Sequence, residues 1–261
     1  MNLSTLGPDW PDLPQVRAFV FTREGGESQP PYTSLNPAQH VGVDDVAVAA
    51  NRQRISDWLP GSPALQWLSQ VHGRQVVNVT DREAVSASPL EADGLVTGAN
   101  GVACCVMTAD CLPVFLASER GDEVALVHAG WRGLAAGIVE QALATMRSPA
   151  NGLRAWLGPA IASCHFEVGG EVRDAFLTGV CSSQIDNAEL AACFQAASAP
   201  EKYLADLYAL ARLQLNALGV QAVTGGDCCS YCDSRQFYSY RRDGRTGRNL
   251  NVIYLQSRNG I

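Results

Sequence analysis

No apolar run in this 261-residue chain approaches the ~18 residues that a membrane-crossing helix requires, so a membrane-spanning protein is not expected. An excess of basic residues is also missing. With 19 Lys and Arg against 26 Asp and Glu the net charge is −7, which argues against general nucleic-acid binding, an activity that wants a basic face. The first residues, MNLSTLGPDWPDLP, carry neither a basic segment nor an apolar stretch of the secretory type, and this points to the cytoplasm. Internal repeats, low-complexity tracts and a convincing linker are lacking too, so a single domain over residues 1–261 is expected, of α/β (α+β) class with mixed sheets. Histidine is scarce, at four residues. What the chain does have is 47% apolar and 17% charged residues, the composition of a globular protein with a substantial core. It also has nine cysteines. In a reducing compartment these are free thiols or metal ligands, and the adjacent pairs Cys104-Cys105 and Cys228-Cys229 are poorly shaped for disulfides.

The most informative stretch runs from Met107 to Gly133 and reads MTADCLPVFLASERGDEVALVHAGWRG. Two runs rich in β-formers, Leu112–Ala117 and Val124–Val127, flank a polar break containing Gly-Asp, which is a hairpin signal. With the turn centred near Arg120 and Gly121, residues whose numbers sum to about 240 face one another, and Cys111 lies beside His128 at the open end. A one-residue slip would turn one of them to the other face. The following Ala129-Gly130-Trp131-Arg132-Gly133 leads into a helical pattern over Leu134–Met146, and such a turn at a helix start is an anion site.

Elsewhere the pattern predicts a strand at Val16–Phe21 and a helix capped by Asp44 or Asp45 and ending near Trp58. It predicts strands at Leu65–Leu68, Gln75–Thr80, Val102–Met107, Ala155–Leu157 and Asn249–Leu255, a helix over about Glu171–Leu177, and an amphipathic helix over Lys202–Leu218 that stops at Gly219. His72 sits in Ser69-Gln-Val-His-Gly73, where a glycine in a strand pattern marks a distortion that aims its neighbour. The loop Tyr32–Gly42 (YTSLNPAQHVG) carries Asn36 and His40, and four arginines, 241, 242, 245 and 248, crowd together near the end. A solvated basic loop accounts for them as well as phosphate or carboxylate recognition does.

Three readings of His72, Cys111 and His128 stay open on spacing alone. Two imidazoles and a thiolate make a three-ligand set for Zn²⁺ that keeps a fourth position for water. Cys111 could instead be a nucleophile supported by His128. It could also be a small buried hydrophobe, a common fate for cysteine. Cys229-x-x-Cys232 would begin a structural zinc site only with a second ligand pair, and no other CxxC exists.

Gln70-Val-His-Gly73, Ala92-Asp-Gly-Leu-Val-Thr97, Thr108-Ala-Asp-Cys-Leu-Pro-Val114, His128-Ala-Gly-Trp-Arg-Gly133, Leu157-Gly-Pro-Ala-Ile161, Phe166-Glu-Val-Gly169 and Phe237-Tyr-Ser-Tyr-Arg-Arg242 with Thr246-Gly-Arg248 occur in that order. Together they resemble the YfiH-like or laccase-domain proteins, also called multicopper polyphenol oxidoreductases, over about residues 32 to 255. The chain departs from that pattern at Pro37-Ala38-Gln39, and Cys232 lies outside it. The resemblance implies a single-domain, four-layer α/β/β/α fold grouped with cysteine hydrolases, and a zinc site at His72, Cys111 and His128. It implies a purine nucleoside phosphorylase acting on adenosine, inosine, guanosine and methylthioadenosine, with adenosine deaminase activity. Peptidoglycan editing, the removal of L-Ser from UDP-MurNAc-L-Ser, is the alternative, and copper polyphenol oxidase is disfavoured because four histidines cannot supply a multicopper centre. The expected partners are a nucleoside and phosphate, bound by a monomer through Arg132, Arg241, Arg242, Asn36 and His40.

Overall fold

The computed structural model describes residues 3–256. Two mixed sheets form its centre. One has five strands in the order Thr5–Leu6, Val16–Phe21, Asn249–Leu255, Val102–Thr108, Ala64–Gln66. The other has six, in the order Ala222–Gly225, Leu153–Leu157, Leu112–Ser118, Val124–Ala129, Gly94–Thr97, Val76–Asn78. Most neighbours are antiparallel, and the parallel pairs fall at the sheet edges.

Side-chain alternation explains why the strands read as unbroken apolar runs. Val114 and Leu116 belong to a cluster that includes Ile138 and Val139 of the Ile138–Thr145 helix, while Phe115 and Ala117 belong to one shared with Cys104, Val106 and Ile253 of the other sheet. Successive residues point to opposite faces, and both faces are covered. Cys105, Val252 and Tyr254 complete a third cluster with Ile55 of the Asp45–Trp58 helix. Asp44 caps that helix by accepting from the Val46 N–H at 3.1 Å. No helix among the described residues is long and apolar enough to cross a membrane.

Two predicted helices come out differently. Lys202–Ala205 is a strand, paired with Glu167–Gly169 and Phe194–Ala196, and the helix begins only at Leu207. Asp206 decides the boundary: its carboxylate accepts from the Ala209 N–H at 2.9 Å, a cap that propensity over Lys202–Ala205 cannot match. The predicted Leu134–Met146 helix is two pieces, Trp131–Ala135 and Ile138–Thr145, broken at Gly137, whose φ of +85° is left-handed.

Candidate metal centre

The hairpin forms in a register one residue from the predicted one. Val124 faces Ala117 and His128 faces Pro113, so facing numbers sum to 241 and the ladder ends at Ala129–Leu112. Cys111 lies just beyond that end, where the position facing it would be Gly130. Residues 128 and 130 share a face. A Cβ on Gly130 would stand 3.0 Å from the Cys111 sulfur and 3.2 Å from His72 Cδ2. Glycine there leaves the space into which His72, Cys111 and His128 converge, with their donor atoms all within 4.8 Å of one another. The two imidazole rings meet edge to face, with centroids 4.8 Å apart. Both turns that present these side chains use the left-handed region: His72 has φ +59°, and Asp110, before Cys111, has φ +94°. Asp110 is held by Ser230 Oγ and the Arg241 N–H, each donating at 2.7 Å.

Asp93 organises the centre, although Ala92-Asp93-Gly94 reads in the sequence only as a turn. It is completely buried. Its carboxylate accepts the backbone N–H groups of Val71, His72 and Gly73 at 3.3, 3.0 and 2.7 Å, and stands 2.8 Å from His128 Nδ1. One side chain therefore fixes the turn that presents His72 and engages Nδ1 of His128, leaving Nε2 for a metal. Carboxylate–imidazole pairing of this kind orients metal-bound histidines and raises their basicity. The donor set of two imidazoles and a thiol fits zinc.

Charge supports the same arrangement. Burial pushes the Cys111 thiol up, but the His128 imidazole, with His72, overcomes it and brings the thiol down to about 6. Burial pulls His128 down, and the Cys111 thiolate and Asp93 carboxylate more than restore it, to about 9. In metal-free protein the pair is thiolate and imidazolium through neutral pH. Alkylation of Cys111 in that form is expected to proceed at full rate near pH 7 and to fall as pH drops through about 6. An ordinary thiol would lose half its rate near pH ~8.5. A rate profile on chelator-treated protein checks this.

The centre opens into a cavity of about 510 Å³, within the usual range for small-molecule sites. His40, Arg132 and Arg241 line it, together with Arg248, Phe166 and Tyr240. Burial, then the charges of Arg248 and Arg52, hold the His40 imidazole below its ordinary value, so it is neutral. Arg132 lies over the Trp131 ring at 4.4 Å, in a five-residue helix too short to make a strong N-terminal anion site. Asn36 and Arg242 do not line the cavity. Asn36 is buried and accepts from the Ala38 and Arg248 N–H groups, bracing the loop behind. Arg242 spends its guanidinium on the carbonyls of Ser230, Tyr231 and Phe237 and on Asp243. Arg245 is turned to Tyr32 and Gly42. Of the four crowded arginines, two reach the cavity.

Residues 17–256 match the sequence pattern of the multi-copper polyphenol oxidoreductase laccase family. The chain belongs to this family. It is 47% identical to a Pseudomonas aeruginosa protein named purine nucleoside phosphorylase PA4543, over 96% of this chain and 98% of that one. It is 44% identical to the Escherichia coli purine nucleoside phosphorylase YfiH, over 95% and 97%. Among solved structures, Neisseria meningitidis protein NMB0706 superposes with a TM-score of 0.88 at 41% identity, over 97% of this chain and 99% of that one. YlmD from Geobacillus stearothermophilus gives 0.87 at 30% identity, over 98% of each. The multi-copper part of the family description does not fit these residues. The chain has four histidines in all, and His40 and His165 stand outside the His72–Cys111–His128 group.

Proposed function

We propose that this protein is a zinc-dependent purine nucleoside phosphorylase of the cytoplasm. In this reading it acts as a monomer on adenosine, inosine, guanosine and methylthioadenosine, with a secondary adenosine deaminase activity. The observation that carries this is the three-donor centre opening into a cavity lined by three arginines, 132, 241 and 248. The names of the relatives support the substrate class. The three side-chain clusters support a four-layer α/β/β/α arrangement for a single domain over 1–261.

Phosphorolysis needs an anion held against the sugar and a base held for departure. Guanidinium groups bind phosphate through charge-assisted hydrogen bonds. Arg241 is anchored for this by Nη1 donating to the Glu167 carbonyl at 2.8 Å and by its backbone N–H on Asp110. A phosphate oxygen bonds to C1′ as the bond from C1′ to the purine breaks, through the oxocarbenium-like state known for glycosides. The departing base takes the electron pair, and the proton it gains comes from the dihydrogen phosphate or from solvent water. Phe166 and Tyr240 supply apolar surface for it, and neutral His40 can hydrogen-bond its edge. His72, Cys111 and His128 would hold the zinc, which when bound supplies Lewis acidity and lowers the pKa of a water toward ~7, as deamination at C6 requires.

Incubation with adenosine in the presence and absence of phosphate tests the reading. Phosphate-dependent release of adenine and ribose 1-phosphate is expected; no product under either condition would end it. Arg241→Gln is expected to raise the KM for phosphate about tenfold, the value of one charge-assisted hydrogen bond of about 1.4 kcal/mol, with little change in the KM for nucleoside. Initial rates against phosphate concentration measure this.

One observation favours a second reading. Cys111, His128 and Asp93 form a chain of thiol, imidazole and carboxylate, the arrangement of a cysteine hydrolase. There Cys111 would attack an amide carbonyl, and UDP-MurNAc-L-Ser is the substrate to try. Release of L-serine, with no phosphorolysis, would select it.

A further inference from the structure

A second group of donors lies outside the centre described above and is used by none of its chemistry. Cys164, His165, Cys229 and Cys232 bring one ligand atom each to within 4.8 Å of one another. Cys164 Sγ is 3.8 Å from Cys232 Sγ. His165 Nδ1 is 3.2 Å from Cys164 Sγ and 3.3 Å from Cys232 Sγ. In a tetrahedral zinc site with Zn–S of about 2.3 Å and Zn–N of about 2.0 Å, the edges are about 3.8 Å between sulfurs and about 3.5 Å between sulfur and nitrogen. The three separations among Cys164, His165 and Cys232 are those edges to within a few tenths of an ångström, and the Cys229 sulfur lies within 4.8 Å of the other three donors.

The backbone is built for this convergence. Ala160 and Cys229 form a parallel bridge, with the Ser230 N–H donating to the Ala160 carbonyl at 2.9 Å. The Cys229-x-x-Cys232 turn closes with the Asp233 N–H on the Cys229 carbonyl at 3.1 Å. The Ala162 N–H donates to the Cys229 sulfur at 3.4 Å, an amide-to-sulfur contact that favours the thiolate. His165 is stacked on Tyr231, with centroids 4.0 Å apart and rings 16° from parallel, which holds Nδ1 toward the sulfurs.

We propose that Cys164, His165, Cys229 and Cys232 form a second, structural zinc site of Cys₃His type. Three soft thiolates with one imidazole in tetrahedral array select Zn²⁺ among the common divalent ions. Four protein ligands leave no open position, so the site is a clasp and not a catalytic centre. Its place in the fold gives the clasp a task. It ties the 229–232 turn to the 160–165 loop, and from these Ser230 donates to Asp110 while the His165 carbonyl accepts from Arg241, as does the Glu167 carbonyl at the start of the strand that follows. Asp110 and Arg241 both line the cavity. The clasp therefore fixes one wall of the pocket. This inference is independent of the reaction proposed above.

Metal analysis of the whole protein, reconstituted with zinc under reductant and desalted, tests it. Wild type is expected to bind about two ions per chain. The Cys164→Ser/Cys232→Ser double variant is expected to lose about one and to keep the ion held by His72, Cys111 and His128. Cys111→Ser is expected to show the converse loss. A readout on the unaltered chain covers the case in which the double variant fails to fold. Zinc is expected to protect Cys164, Cys229 and Cys232 from alkylation, as resolved by peptide mapping, with at least tenfold slower labelling than in chelator-treated protein. A single ion per chain that the double variant leaves unchanged would overturn the proposal. So would equal labelling of the three cysteines with and without zinc, or the recovery of Cys164 and Cys232 as a disulfide under reductant.

Discussion

Cys111→Ser is expected to lower the phosphate-independent conversion of adenosine to inosine roughly 1000-fold, about 4 kcal/mol, the scale of a lost metal contribution to transition-state charge. Serine keeps the shape of cysteine but stays protonated near neutrality, so the three-donor set becomes two imidazoles and a neutral hydroxyl. Metal is expected to leave with the activity, and zinc content measured beside initial rates checks both together. If Cys111→Ser kept full zinc occupancy and full turnover, the site would be wrongly assigned. Loss of turnover with zinc fully retained would instead select the nucleophile role for Cys111. The variant has little other reason to fail, since Cys111 lies outside the hairpin ladder and serine is slightly smaller than cysteine.

Asp93→Asn carries the second large effect. The amide oxygen can still face His128 Nδ1 and the His72 N–H, but its NH2 then meets the Val71 and Gly73 N–H groups, so the charge and two of the three backbone hydrogen bonds are lost together. Removing a carboxylate behind a metal-bound histidine typically costs 10–100-fold in metal affinity or activity, and the expected fall in zinc affinity is about 30-fold in competition with a chromophoric chelator. Asp93→Ala is a different case. It strands the N–H groups of Val71, His72 and Gly73, and each buried donor left without a partner costs about 1–3 kcal/mol. The larger drop in Tm is expected for the alanine variant, which strands all three N–H groups, and a lesser one for asparagine, which still accepts from His72. Equal Tm losses in the two would show that Asp93 is a structural anchor only.

Local signals made most of the fold legible. Val16–Phe21 and Asn249–Leu255 are strands with the bounds that their apolar patterns set, and the Asp44 cap fixes the start of its helix. Lys202–Ala205 misled because its apolar spacing suits a helix, whereas its sheet partners Glu167–Gly169 and Phe194–Ala196 cannot be read from neighbouring residues. The hairpin was visible, but its register was not. The offset depends on how the Ser118–Glu123 turn closes, and a shift of one residue alters no feature of the composition.

The site was legible to a similar depth. His72, Cys111 and His128 stood out because each adjoins a glycine or a strand end, and the family motifs named the same three. Asp93 was hidden because Ala92-Asp93-Gly94 is also an ordinary turn sequence, and only the folded chain shows three amides aimed at its carboxylate. Arg241 and Arg242 are neighbours with the same chemistry. Backbone direction alone sends one to the cavity and the other to the carbonyls of Ser230 and Tyr231. Cys164-His165 does not read as a partner to Cys229-x-x-Cys232, because a second ligand pair is normally spaced as CxxC and here the two residues are adjacent.

The Asn249–Leu255 strand sits in the middle of its sheet, between Val16–Phe21 and Val102–Thr108. Those two strands are therefore not each other's neighbours, and residues from the first tenth of the chain wait for residues from its last tenth. During synthesis, the six-stranded sheet with the Cys111–His128 hairpin has all its strands by Gly225, whereas the five-stranded sheet remains in two parts until Leu255 has emerged. Contacts of such long sequence separation form slowly, and until they form, the Val16–Phe21 and Val102–Thr108 edges are open to wrong partners. A ribosome-bound chain ending before Asn249 would carry every candidate ligand in an incomplete protein.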